Sequence, residues 1–337
     1  MTVDLPVTKS EVAMVRVSRL PPVPAAFFGI VLGLAGLGNS WRAATAVWGL
    51  PSAIGEAINV AAVIVWLILV TLYAAKWIVA RPAALLEAEN PVQCCFIGLA
   101  GVSTMLIALA VLPYTRTVAI LLFTCGAIFT LAFALWRTGI LWRGERDPAT
   151  TTAVLYLPTV AGSFVTAIVA GALGYGDWGQ YAFGAGFFSW LAIESVLLNR
   201  LLTGPSLADP LRPTLGIQLA PPAVGAVAYL SVTVGAPDMI VRLMLGYALL
   251  QALLLCRMLP WISRQPFAAS YWAFTFGVTA LSTAAIRMVA RGDAGPVETL
   301  APVLFIIANL VVFAVAIGTI MLIARGRLLP AAPVAKN

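Results

Sequence analysis

The sequence predicts an all-α polytopic membrane protein of ten transmembrane helices, paired as five helical hairpins. Three observations carry that expectation. Hydrophobic residues make up 61% of the 337 positions and charged residues only 10%, where an ordinary soluble domain carries roughly 25%. The apolar residues fall in runs of the length, about 17–25 residues, that a helix needs to cross the hydrocarbon layer. Charge, proline and glycine then punctuate those runs at regular intervals.

The elements follow in order. A first span over 22–39 carries Gly29, Gly33, Gly36 and Gly38. Pro51 opens the second, 53–79, with Trp66 and Trp77. A charged stretch at 81–91 separates it from the third, 91–112, which holds Gly98, Gly101, Ser103 and Thr104. Pro113 and Arg116 break the chain before the fourth, 115–141, with Phe129 and Trp136. The fifth, 153–175, contains Pro158, Gly162, Ser163 and Thr166, and the sixth, 178–202, contains Glu194. The seventh, 213–235, contains Gly216, Pro221, Pro222 and Gly225, and the eighth runs over 237–261. The ninth, 268–290, is rich in hydroxyls (Thr275, Thr279, Ser282, Thr283) around Gly277, and the tenth spans 297–323.

Odd-numbered spans thus collect glycine, proline and small hydroxyls, and even-numbered spans are longer and bulkier. Small residues permit close helix approach, and polar atoms in a bilayer favour a bundle interior or a wet cavity. Five hairpins with the odd helices inside satisfy both. The prolines Pro158, Pro221 and Pro222 are the expected kinks, because each removes a donor and frees a carbonyl one turn back.

Charge orients the bundle. Placing both termini on the cytoplasmic side puts fifteen of the twenty Lys and Arg residues there and leaves Arg42, Arg116, Arg242, Arg287 and Arg291 opposite. That bias matches the positive-inside rule for short loops. The domains read as a cytoplasmic tail over 1–21, a membrane domain over 22–327 and a second cytoplasmic tail over 328–337. The first tail mixes Asp4, Lys9, Glu11, Arg16 and Arg19 without an apolar core, so it does not read as a cleavable signal. An interfacial turn is expected around 12–17.

Several function classes are excluded or disfavoured. The net charge of +7 belongs to the orientation bias, since no basic stripe interleaved with aromatics stands outside the helices. Histidine is absent, which removes histidine-based catalysis and metal binding. No nucleotide-binding loop points to an ATP-driven pump, and no serine–lysine or paired-aspartate arrangement within the spans suggests an enzyme. No cofactor is expected. Cys94, Cys95, Cys125 and Cys256 lack metal-site spacing and read as buried small apolar residues.

Two features within the spans call for a role. Glu194 is an acid inside the membrane, which is costly and points either to transport or to a hydrogen-bonded structural site. Asn59, Gln218, Gln251 and Asn309 are weaker cases, read as interhelical hydrogen-bonders. Phe276 beside Gly277 is a ring with room next to it in a hydroxyl-rich helix, and Phe28 beside Gly29 repeats the pair. Such a ring either plugs a narrow lumen or packs on a neighbouring helix. In a lumen it would gate by dewetting.

The order of several motifs carries a resemblance over residues 22–327. They are Ala26-Phe-Phe-Gly-Ile-Val-Leu-Gly-Leu-Ala, Tyr156-Leu-Pro-Thr-Val-Ala and Phe183-Gly-Ala-Gly-Phe-Phe-Ser-Trp leading to Glu194. Arg212-Pro-Thr-Leu-Gly-Ile-Gln-Leu-Ala-Pro-Pro, Gly246-Tyr-Ala-Leu-Leu-Gln with Pro260-Trp-Ile, and Tyr271-Trp-Ala-Phe-Thr-Phe-Gly follow. Together they resemble the tellurite-resistance/dicarboxylate transporter family, whose bacterial branch is related to the plant slow anion channels.

That resemblance implies five hairpins set quasi-symmetrically around a central pore, in a homotrimer whose subunits each hold a pore. It assigns Phe276 as the occluding ring, Gly29 and Gly277 as small pore-facing positions, and Glu194 as a family glutamate on the sixth helix. The expected function is a gated anion channel or uniporter for inorganic or small organic anions in the bacterial plasma membrane. A proton-coupled carrier of C4-dicarboxylate, tellurite or related oxyanions is the alternative. An accessory membrane protein is the remaining class. The pore interior is expected to be nearly uncharged.

Overall fold

The computed structural model describes residues 23–144 and 146–329. The tail expected over 1–21, with its interfacial turn, and all but the first two residues of the tail expected over 328–337 lie outside them.

The chain is helical throughout the described residues. Eleven α-helices follow one another: α1 (Phe28–Trp48), α2 (Ser52–Val79), α3 (Arg81–Glu89), α4 (Leu99–Val111), α5 (Arg116–Leu141), α6 (Gly162–Ala172), α7 (Gly176–Thr203), α8 (Ala220–Val232), α9 (Met239–Ile262), α10 (Thr275–Ala290) and α11 (Pro296–Ala324). Among the described residues, nine helical stretches are long and apolar enough to cross a membrane. The chain is therefore a multi-pass membrane protein.

The first expected span is not one of the nine. The sequence reading ended it at 39, where polarity rises, yet α1 runs on to Trp48 through Asn39, Ser40, Trp41 and Arg42. The neighbours of α1 supply the reason. Ser40 Oγ lies 2.9 Å from Ser282 Oγ, and Trp41 Nε1 donates to Asn309 Oδ1 at 2.8 Å. Arg42 pairs with Glu56 through two bonds of 2.6–2.7 Å. Polar side chains that would end a lipid-facing helix are satisfied here by other helices, so the helix continues.

A further helix, α3, was read from sequence only as a charged hinge. Pro82 enters its first turn, where a missing N–H costs nothing. Glu87 on α3 accepts from Lys76 Nζ at 2.8 Å and from the Ala25 backbone N–H at 2.8 Å, and Tyr73 Oη donates to it at 3.1 Å. The carboxylate therefore caps the start of the first helical stretch and neutralises a buried lysine at once.

Burial divides the spans into two sets. In Gln93–Val111, Ala153–Ala172, Asp209–Val232 and Ala269–Ala290, 61–83% of the hydropathic core is buried; in the other five spans the share is 22–33%. Helices α1, α4, α6, α8 and α10 pack each on the next, and α10 returns to α1. The exposed large apolar side chains within spans, such as Leu67, Leu131, Phe188, Leu253 and Ile320, lie on α2, α5, α7, α9 and α11. The exposed face is apolar, as lipid requires. Cys94 and Cys95 are buried as expected, whereas Cys125 and Cys256 stand on that outward face.

Each inner helix enters through irregular geometry. Ala25–Phe27, Gln93–Gly98, Ala153–Leu155, Asp209–Leu219 and Ala269–Phe274 are 3₁₀ turns, and Leu157–Ala161 is a π turn. Eleven residues of 3₁₀ helix in Asp209–Leu219 are unusual, because runs beyond three or four are uncommon. Pro213 within that stretch denies one donor to the ladder. Pro158 lies within the π turn, and Pro221 and Pro222 open α8 where 3₁₀ gives way to α.

Candidate functional site

The five irregular entries converge on one cavity of about 160 Å³. Its lining draws on all five inner helices, with Phe27 and Gly29, Phe96, Tyr156 and Val160, Thr214 and Pro221, and Trp272 and Phe276 among the contributors. Most of these side chains are apolar. Gly29 lines this cavity, and the nearest atom to a Cβ built there would be Trp272 Cβ at 3.7 Å.

A second, smaller cavity of about 30 Å³ is lined by the same five helices one level further along, including Gly36 and Asn39, Leu109, Ile168, Val227, and Ala280, Thr283 and Arg287. Phe276 and Val224 line both cavities and stand at the boundary between them. The ring is held close to α1, since a Cβ on Gly36 would come within 3.4 Å of Phe276 Cδ2 and 2.3 Å of Thr279 Oγ1. Glycine at 36 therefore leaves the space that Thr279 occupies on the neighbouring helix.

Gly277 departs from expectation. A Cβ there would meet Ala220 N and Leu219 Cβ, both at 3.0 Å, and the residue lines neither cavity. Helical geometry explains it: consecutive residues lie about 100° apart around a helix, so a ring facing the two cavities turns its neighbour toward α8. Gly277 allows α8 and α10 to approach each other.

Glu194 is buried at the centre of a donor cluster. Oε2 accepts from Tyr156 Oη at 2.5 Å and Trp190 Nε1 at 2.7 Å. Oε1 accepts from Tyr247 Oη at 2.6 Å and from Gln218 Nε2 and Gln251 Nε2 at 3.3 Å each. Gln251 also donates to Tyr247 Oη at 2.8 Å. Five donors from α7, α9 and the entries to α6 and α8 thus converge on one carboxyl. Such saturation makes a buried acid tolerable without a cation. Gln218 and Gln251 are visible in the sequence as polar outliers, whereas Tyr156, Trp190 and Tyr247 pass there as ordinary membrane aromatics. Tyr156 also lines the larger cavity, which ties the cluster to it.

Beyond the smaller cavity the arginines are largely engaged with helix ends. Arg42 donates to Leu109 O (3.1 Å) and Ala110 O (2.8 Å) at the end of α4, and Arg116 to Leu173 O (2.7 Å) after α6. Arg291 donates to Leu230 O and to Thr233 O (2.7 Å) after α8. Cations there satisfy orphan carbonyls and complement the helix dipole. Arg242 pairs with Asp293 at 3.1 Å. Arg287 differs, because among the described residues its side chain donates only to a hydroxyl, Ser231 Oγ, at 2.8 Å, and it lines the smaller cavity. One charged side chain thus lines a cavity in an interior expected to be nearly uncharged.

These features define a multi-pass helical membrane protein with cavities enclosed by its inner helices. Comparison with known proteins specifies the class further. The sequence model described as "Voltage-dependent anion channel" (SLAC1) matches residues 22–320. The chain is 31% identical to the Tellurite resistance protein TehA homolog of Haemophilus influenzae, over 95% of this chain and 96% of that protein. It is 25% identical to the S-type anion channel SLAH3 of Arabidopsis thaliana, over 88% of this chain and 48% of that protein. The Guard cell S-type anion channel SLAC1 of the same plant is 26% identical over 48% of this chain and 29% of its own length. The chain belongs to the voltage-dependent anion channel family, and anion transport is the function this membership supports.

Proposed function

We propose that the protein is a gated anion channel or uniporter of the bacterial plasma membrane, with Phe276 as the side chain that closes its path. The carrying observation is that Phe276 lines both cavities enclosed by α1, α4, α6, α8 and α10. An apolar ring at a constriction excludes water and, with it, ions; displacing the ring would join the two cavities. In this reading α1 is the tenth crossing. Its hydropathy is lowered by Asn39 to Arg42, and neighbouring helices absorb the polarity of Ser40, Trp41 and Arg42. The ten crossings then form five hairpins around a central pore, with both termini and the larger cavity on the cytoplasmic side. Residues 22–327 form the pore domain between two cytoplasmic tails. Three copies assemble through the apolar outer helices, each with its own path.

A proton-coupled carrier needs a protonatable group open to the path. Glu194 is the acid that could serve, and its five donors argue for a structural station instead. The name of the Haemophilus relative brings tellurite and related oxyanions among the anions to be tested.

Ion replacement in planar bilayers tests this reading. Purified protein should carry chloride and nitrate current down their own gradients with no pH difference across the membrane. Uptake that occurs only under an imposed proton gradient would overturn the channel reading in favour of the carrier.

A further inference from the structure

We infer that Arg287 holds a single small monovalent inorganic anion, of the halide class, in the cavity beyond Phe276. The role of this site in transport rests on the channel reading above; the site itself does not. Four observations carry it. Arg287 is a cation within a membrane span, and intramembrane charges that face a cavity mark ion paths. Among the described residues it has no carboxylate partner, whereas Arg42, Arg212 and Arg242 each have one. Arg116 donates to one helix-end carbonyl and Arg291 to two, while Arg287 donates to a hydroxyl instead. The remaining guanidinium N–H groups are thus free for a ligand in the space that the side chain lines.

Size and lining then select the ligand. About 30 Å³ of space leaves room for only two or so water-sized molecules. A dehydrated halide fits that space, and a C4-dicarboxylate does not. Asn39, whose amide makes no side-chain bond among the described residues, shares the lining and can supply further N–H donors. The Thr283 hydroxyl hydrogen is already donated to Thr279 O at 2.8 Å, so its oxygen offers an anion nothing. The remaining wall is apolar, from Leu106, Ile168 and Val227, and a dry wall strengthens attraction to the guanidinium. A cation in the same place would face Arg287 with no carboxylate to receive it, so the site also discriminates by charge.

Bromide is the probe, because its anomalous scattering locates it directly. Crystals of the wild-type protein grown in bromide should show an anomalous peak beside the Arg287 guanidinium, and crystals of Arg287→Gln should lack it. No peak there in saturating bromide, or a peak that persists in Arg287→Gln, overturns the site whether or not the protein conducts. The discriminating role is read from reversal potentials under a potassium chloride gradient. The double variant Phe276→Ala/Arg287→Gln should lose anion preference relative to Phe276→Ala, by on the order of tenfold. Equal preference in the two variants would overturn that role and leave the channel reading intact, whereas absence of current in every form would remove the channel reading alone.

Discussion

Phe276 and Arg287 lie on one face of α10, three turns apart, and both line the smaller cavity. Ala280 and Thr283 stand between them on that face, at the spacing of successive turns. One helix therefore carries the apolar ring at the boundary of the two cavities and the guanidinium beyond it. A motion of α10 that moves the ring moves the charge as well.

Glu194→Gln tests the donor cluster. The amide would set its own N–H group against donors that now meet a carboxylate oxygen. Stability should fall by about 2–4 kcal/mol, read as a lower Tm of the detergent-solubilised protein. An unchanged Tm together with altered proton dependence of uptake would make Glu194 a transport residue.

The glycines of α1 give a graded comparison. A Cβ at Gly33 would sit 2.2 Å from Thr275 Oγ1 and 2.8 Å from Trp272 Cζ3, while one at Gly29 has its nearest neighbour at 3.7 Å. Gly33→Ala should destabilise the protein by about 1–3 kcal/mol through overpacking. Gly29→Ala should stay within roughly 0.5 kcal/mol of wild type. Equal effects on Tm would contradict the close approach of α1 to α10.

Asp238 provides a pH-dependent contact outside the spans. It accepts from the Ile240 and Val241 N–H groups at the start of α9 and from the Tyr229 hydroxyl. The Tyr229 hydrogen bond, with those backbone donors, holds its carboxyl below the usual carboxylate range. A lowered folded value means that the stabilisation is present above the unfolded value, about 3.9, and is lost as pH falls through the folded one. Asp238→Ala should cost about 1 kcal/mol near neutral pH as a lost cap. The Tm gap to wild type should narrow as pH falls below the unfolded value. A gap that is constant with pH would show that the charge contributes nothing there.

Much of this was legible in the sequence because lipid imposes a strict pattern. Long apolar runs between charged or proline-bearing hinges place α2, α5, α7, α9 and α11 within a few residues, since their exposed faces must be apolar. The glycine and hydroxyl content of the odd spans marks the helices that are buried. What escaped depends on partners distant in sequence. The second half of α1 is too polar to read as a span until Ser282 and Asn309 are seen beside Ser40 and Trp41. Arg287 reads as one more basic residue near a helix end, because nothing local shows that it has no carboxylate partner among the described residues. The resemblance places Gly277 toward the pore beside Phe276, and the 100° step between neighbouring residues of the helix turns it toward α8 instead.

The most direct test of the central claim is single-channel recording of purified wild-type protein and Phe276→Ala in planar bilayers, with chloride as the permeant ion. A small wild-type current that rises many-fold when the ring is removed is the predicted result. Equal chloride currents in the two proteins would contradict an aromatic gate at the boundary of the two cavities.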